Sequence, residues 1–165
     1  MLAEAVLCMA LTVHHEARGE PYIGREAVAH VLHNRAKRYG TGVCWEAFRY
    51  KQFSWTLHPS KLKRLPRGPE WEKAIQVSRR VLAGTADFTG GADHFHLVGL
   101  TPLPDWVTPK LEVIGQWGDH IFYRPRPQSV YNGDARTKRP GCSLRAPSCR
   151  QKYLQHLKEE TMRRS

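Results

Sequence analysis

Leu2, Ala5, Val6, Met9, Ala10 and Val13 recur at three- and four-residue spacing, so the chain opens with a helix over about residues 3–17 that buries one face. Gly19 and Pro21 stop it, and Pro21 suits the first turn of a second helix, where a missing N–H costs nothing. Ala27, Val28, Val31 and Leu32 give that second helix one apolar stripe, ending near Lys37 ahead of Gly40 and Gly42. Residues 43–69 read as irregular, with Trp45, Phe48, Tyr50, Phe53 and Trp55 set among basic side chains. A third helix spans about Glu70 to Ala83, with Trp71, Ala74, Ile75, Ser78, Val81 and Leu82 inward and Gly84 as its stop. Residues 93–98 alternate polar and apolar as a half-buried strand does, and His120 to Tyr123 is a second strand candidate. Beyond Arg124 the chain reads as loop to about Arg150, with Tyr153, Leu154 and Leu157 able to form a short terminal helix. The fold class is therefore α+β, with helices packed against a small antiparallel sheet.

Composition narrows the class without naming a function. The 165 residues suit one domain with a modest core. No apolar run approaches the ~18 residues that would cross a bilayer. The first 13 residues look superficially like a signal peptide, but they carry Glu4, lack a basic start and run into Glu16 without a cleavage site. They read as core helix, which leads us to expect a protein made in the cytoplasm. The net charge of +11 favours a polyanionic partner: nucleic acid, anionic membrane or bacterial envelope. It concentrates in residues 124–152, where Arg124, Arg126, Arg136, Lys138, Arg139, Arg145, Arg150 and Lys152 face one acid, Asp134. A solvated, solubilising surface explains such a run equally well. Of the four cysteines, Cys8 reads as a small buried hydrophobe, while Cys142 and Cys149 can pair in an oxidising compartment.

The candidate chemistry centres on Glu16. It closes the first helix just before the Gly19–Pro21 break, where a carboxyl is partly desolvated yet reachable. Desolvation raises a carboxyl pKa, as a general acid near neutral pH requires. An ordinary surface glutamate at a helix end is the competing account. Glu20 lies four residues on but precedes Pro21, which biases it away from helical geometry; a charge favourable to the dipole of the second helix explains it as well. Asp93, His94, His96 and His120 form a second constellation. His94 and His96, two apart on a strand, share a face and could ligate a metal, with His14 and His15 beside Glu16 as further donors. No metalloprotease spacing accompanies them, so contacts to a substrate or to backbone fit better. Ser54 lacks the elbow of a nucleophilic serine. Phe53, Trp55 and Trp106 can stack on sugars or simply fill the core, and Arg35, after Asn34 at a helix end, can hold a carboxylate or make a surface pair.

Five co-linear elements carry a resemblance. Glu16 to Glu20 reads E-A-R-G-E, Ala27 to Arg35 reads A-V-A-x-V-x-x-N-R, and Gln52 to Ser54 reads Q-F-S. His94 to His96 supplies an H-x-H, and Ile114 to Tyr123 an I-G…H-x-F-Y. Over residues ~5–124 the chain resembles the spore-cortex-lytic, SleB-type cell-wall hydrolases. Two departures stand out: Gln116-Trp117-Gly118-Asp119, resembling an insertion, and Leu97-Val98-Gly99-Leu100, where the family more often has an aromatic.

The resemblance implies a lysozyme-like substrate cleft between helices and sheet, and a catalytic domain over residues 1–124 carrying a basic extension over 125–165. It implies an enzyme that cleaves the MurNAc–GlcNAc bond of peptidoglycan with Glu16 as the one catalytic carboxylate and no cofactor or metal. Glycan cleavage needs an acid and a nucleophile or base. A missing second carboxylate suits a lytic transglycosylase, in which the substrate's own C6 hydroxyl attacks; a muramidase stays open. Glu20, Gln52, Phe53, Ser54, Trp55, His94, His96, Trp106, His120 and Tyr123 are the expected substrate contacts. The expected setting is a monomeric phage endolysin, released to the wall and held to the anionic envelope by its basic segment. Two alternatives remain at this point: a metal-dependent amidase or peptidase built on the histidines, and a basic nucleic-acid-binding module. No nucleic-acid-binding motif is present, and such a module leaves the co-linear elements unexplained, so no nucleic acid is expected as partner.

Overall fold

The protein is described from a computed structural model over residues 2–127. The expectations for Cys142, Cys149, most of the basic segment and a terminal helix lie outside the described residues. The chain divides into two compact units. The first comprises Met1–Ala47 and Pro66–Pro127, and the described part of the second is Phe48–Leu65.

In the first unit, α1 (Leu2–Ala17), α2 (Tyr22–Tyr39) and α5 (Pro69–Leu82) pack on one another, and α2 also meets a three-stranded sheet. The sheet comprises β1 (His94–Leu97), β2 (Leu111–Trp117) and β3 (His120–Pro125) in the antiparallel order β1-β3-β2. The expected α+β class holds.

The expectation that α1 buries one face is too modest. Every residue from Cys8 to His14 is buried, since α2 and α5 both pack on it. Thr12 satisfies its hydroxyl inside this packing by donating to the Cys8 carbonyl at 3.1 Å. Cys8 is more than a buried hydrophobe: it is disulfide-bonded to Cys44 on α3 (Val43–Phe48). Closing a loop of this length lowers the entropy of the unfolded chain by about 4 kcal/mol in the loop-closure account. Spacing of 36 residues gives no motif, which is why the sequence did not reveal the pair.

Residues 43–69 are less irregular than their composition suggests. Besides α3 they hold a 3-10 turn (Ser54–Leu57) and the short α4 (Pro59–Leu62). In the second unit Trp55 meets Phe48 edge to face at 5.4 Å.

Strand β2 went unseen in the sequence because neither of its faces is fully buried, so it lacks sharp alternation. A register shift between Val113 and Gly115 blurs it further. At Gly115 a Cβ would stand 2.9 Å from the Trp117 ring, so glycine lets the indole fold over the strand. The residues that resembled an insertion are the β2–β3 hairpin, linked by Gly118 and Asp119, with Gly118 at φ +64 as a two-residue turn led by glycine requires.

Candidate functional site

Glu16 sits in the last turn of α1, half-buried, one residue before the helix ends at Ala17. The turn that follows is held by a buried arginine. Arg25 donates from Nε to the Glu20 carbonyl at 2.8 Å and from Nη2 to the Arg18 carbonyl at 2.6 Å. The same guanidinium pairs with Glu70 on α5. One cation thereby closes the α1–α2 corner and fixes it to a third helix. His14 and His15 meet edge to face at 5.3 Å, and His14 packs on Trp71 at 5.9 Å.

Glu20 has a different situation. It is only 8% exposed. One oxygen accepts the Asp119 N–H at 2.9 Å, and the other lies 3.1 Å from Nδ1 of His120. Both residues were expected as substrate contacts; the structure instead makes them a staple between the α1–α2 corner and the β2–β3 hairpin. The hairpin approaches so closely that a Cβ on Gly24 would lie 3.3 Å from the Trp117 carbonyl.

The sheet separates the histidines. Register places His94 opposite Tyr123 and His96 opposite Ile121, so those four share one face, while His120 and Phe122 occupy the other. His120 accordingly packs on Phe95 at 5.1 Å, away from the H-x-H pair. The four-member constellation expected around Asp93 is thus divided. On the first face Trp106 joins His94 at 5.1 Å, His96 at 5.9 Å and Tyr123 at 5.7 Å. His96 is buried and fully used: Nδ1 lies 2.8 Å from the Leu97 carbonyl and Nε2 2.8 Å from the Tyr123 hydroxyl. Among the described residues no group of three or more His, Cys, Asp or Glu side chains is placed to hold a metal.

Asn34 and Arg35 deliver this face. Asn34 donates to the Ala92 carbonyl at 2.9 Å and to Asp87 at 2.8 Å, and Arg35 donates to the Asp93 carbonyl at 2.5 Å. Asp87 in turn accepts from Thr89 and Gly91, shaping the loop that enters β1. Burial pushes the Asp87 carboxyl up, but bonds from Thr89 and Asn34 outweigh it and hold it below its ordinary value. Sequence reasoning missed Asp87 and Arg38, which lie in no motif.

In the second unit Gln52 accepts from Arg49, and Ser54 is exposed. Phe53 and Trp55 are 5% and 1% exposed, so their rings are packing elements and present no stacking face.

A helical layer joined through buried polar groups to a small antiparallel sheet is the architecture this chain shares with wall enzymes of lysozyme-like fold. The pattern of the cell wall hydrolase family matches residues 19–123, and the chain belongs to that family. Two solved structures are similar. The catalytic domain of the Bacillus cereus SleB protein is 28% identical with a TM-score of 0.62, covering 74% of this chain and 91% of that one. The catalytic domain of the germination-specific lytic transglycosylase SleB from Bacillus anthracis is 28% identical with a TM-score of 0.62, covering 73% of this chain and 94% of that one. No curated protein matches the chain.

The staple makes Gly118 sensitive. Alanine there must hold a positive φ, and its Cβ would fall 1.7 Å from a Glu20 carboxylate oxygen. Gly118→Ala should lose at least about 2 kcal/mol, whereas Gly42→Ala, with open space around it, should stay within about 0.5 kcal/mol. Denaturant titration of the two variants measures the difference; equal midpoints would show that the staple is not rigid.

Acid should loosen the fold in a definite window. Burial holds His14, His30, His33 and His120 below the ordinary imidazole value; for His120 this outweighs the opposing pull of Glu20. The unfolded chain therefore binds more protons than the folded one just below pH ~6.5, so stability falls as pH drops through that value. Asp87, held low, loses its contribution only below about pH 4, so the two windows separate. Melting temperature should fall between about pH 7 and pH 5.5, and less steeply in His30→Leu. A flat profile, or an unchanged slope in that variant, would remove the assignment.

Proposed function

We propose that the protein cleaves the glycan strand of peptidoglycan as a lytic transglycosylase, with Glu16 donating a proton to the leaving oxygen and then withdrawing one from the attacking hydroxyl. Membership of the cell wall hydrolase family supports the substrate, and similarity to the germination-specific lytic transglycosylase of Bacillus anthracis supports the reaction. The observation that carries the mechanism is the fate of Glu20. Two-carboxylate hydrolysis needs a second carboxylate about 5–10 Å from the first and open to water or sugar. The nearest in sequence is buried and bonded to Asp119 and His120. A single working carboxylate suits intramolecular attack by the C6 hydroxyl, which needs no protein nucleophile. Arg25 supports that role by fixing the turn next to Glu16, so that the acid keeps its aim.

Glu16→Gln should fold normally and lose about 10²–10⁴ in rate on purified sacculi. Mass spectrometry of the wild-type digest should show anhydro ends. Reducing ends would indicate a muramidase and free peptides an amidase; near-normal clearance by folded Glu16→Gln would remove the glutamate.

The reading extends to a monomeric endolysin used for bacteriolysis, with antimicrobial action, made in the host cytoplasm and acting on the wall after release. The Cys8–Cys44 disulfide supports work in an oxidising compartment such as the periplasm. Residues 124–152 would dock on the anionic envelope, supported by eight cations against Asp134. Such attraction is screened over about 8 Å at physiological salt, so binding to sacculi should weaken steeply as salt rises. Salt-independent binding would remove the docking role.

A further inference from the structure

The two histidines of the H-x-H segment have unlike surroundings. His96 has both ring nitrogens engaged, and its ring stacks on Tyr123 at 5.3 Å. His94 uses only one: Nδ1 lies 2.7 Å from Oδ1 of Asp93. Its Nε2 has no partner among the described residues, and its side chain is 28% exposed beside Trp106. Asp93 is wholly buried and held from three sides. Its N–H donates to the Tyr123 carbonyl at 3.0 Å, its own carbonyl accepts from Arg35, and its second carboxylate oxygen lies 3.0 Å from Nε of Arg38.

We infer that His94 is a glycan-binding residue whose Nε2 accepts a hydrogen bond from a sugar hydroxyl beside Trp106, and that Asp93 is the positioning residue that fixes the hydrogen of the neutral ring on Nδ1. The inference rests on the glycan-cleaving reading and adds to it the group that orients the sugar. A carboxylate can only accept, so a neutral imidazole against Asp93 carries its hydrogen on Nδ1 and leaves the lone pair on Nε2. Arg38 holds the carboxylate from the far side, and β1 fixes its backbone. An acceptor next to an indole suits a hexosamine unit, whose C–H face packs on the ring while a hydroxyl at its edge donates. His96 and Tyr123, bonded to each other, build the floor and make no such offer.

Nitrogen-15 spectra of the full-length protein at about pH 8, above the ordinary imidazole range, test this directly. His94 should show the Nδ1–H tautomer in the wild type, and its Nε2 resonance should move when soluble glycan strands stripped of stem peptides are added to the Glu16→Gln protein. His96 should not move. His94→Leu should raise KM about tenfold with a smaller change in kcat, while His94→Gln, whose amide oxygen can accept, should recover most of the loss. Asp93→Asn offers an N–H to Nδ1, so the tautomer should reverse and KM should rise as in His94→Leu. An Nε2–H tautomer in the wild type, an unchanged KM in His94→Leu, or glycan cleavage without movement of the His94 resonance would overturn the inference. Movement of His94 by glycan that the wild type fails to cleave would uphold it and overturn the proposed reaction instead.

Discussion

A helix buried from Gly24 to Leu32 cannot carry charge along its length unless each charge finds a partner, and α2 carries Arg25 and Glu26 within that stretch and Arg35 just beyond it. This constraint organises the first unit. At the N-terminal end, Arg25 reaches the carbonyls of Arg18 and Glu20 and the carboxylate of Glu70. At the C-terminal end, Asn34, Arg35 and Arg38 lie within one turn and grip Ala92, Asp93 and Asp87. The helix is therefore a rod with a polar clamp at each end, one holding the turn beside Glu16 and the other holding the strand that bears His94. Breaking either clamp would leave a buried charge unpaired, which costs more than the net value of the bond itself.

The same logic explains how the hairpin is joined to the helical corner. The Glu20 carboxylate needs donors once it is buried, and the turn after β2 supplies a backbone N–H and an imidazole. Glycine at 118 is what allows so close an approach. A residue type that commonly signals catalysis here serves assembly. The histidines follow suit. His120 belongs to the assembly and His96 is bonded through both ring nitrogens, whereas His94 keeps a part-exposed Nε2 beside Trp106.

Much of the architecture is legible in the chain. Helix spacing of apolar residues marked α1, α2 and α5 to within a few residues, alternation marked β1, and His120 to Tyr123 stood as the candidate that is β3. The co-linear elements sufficed to point to the cell wall hydrolases, whose pattern matches residues 19–123. What the chain withheld depends on burial and partnership at long range. Strand β2, half-exposed on both faces, carries no period to read. Cys8 and Cys44, 36 residues apart, meet only in the folded chain. Glu20 and His120 look like site residues in a list of polar positions, and only folding, which brings Glu20 to Asp119 across a separation of 99 positions, shows that the carboxylate is consumed in holding the hairpin. The sequence determined which residues could do chemistry, since that follows from side-chain type; the tertiary structure decided which of them have atoms left to do it with, since hydrogen-bond capacity is spent by neighbours that only folding supplies.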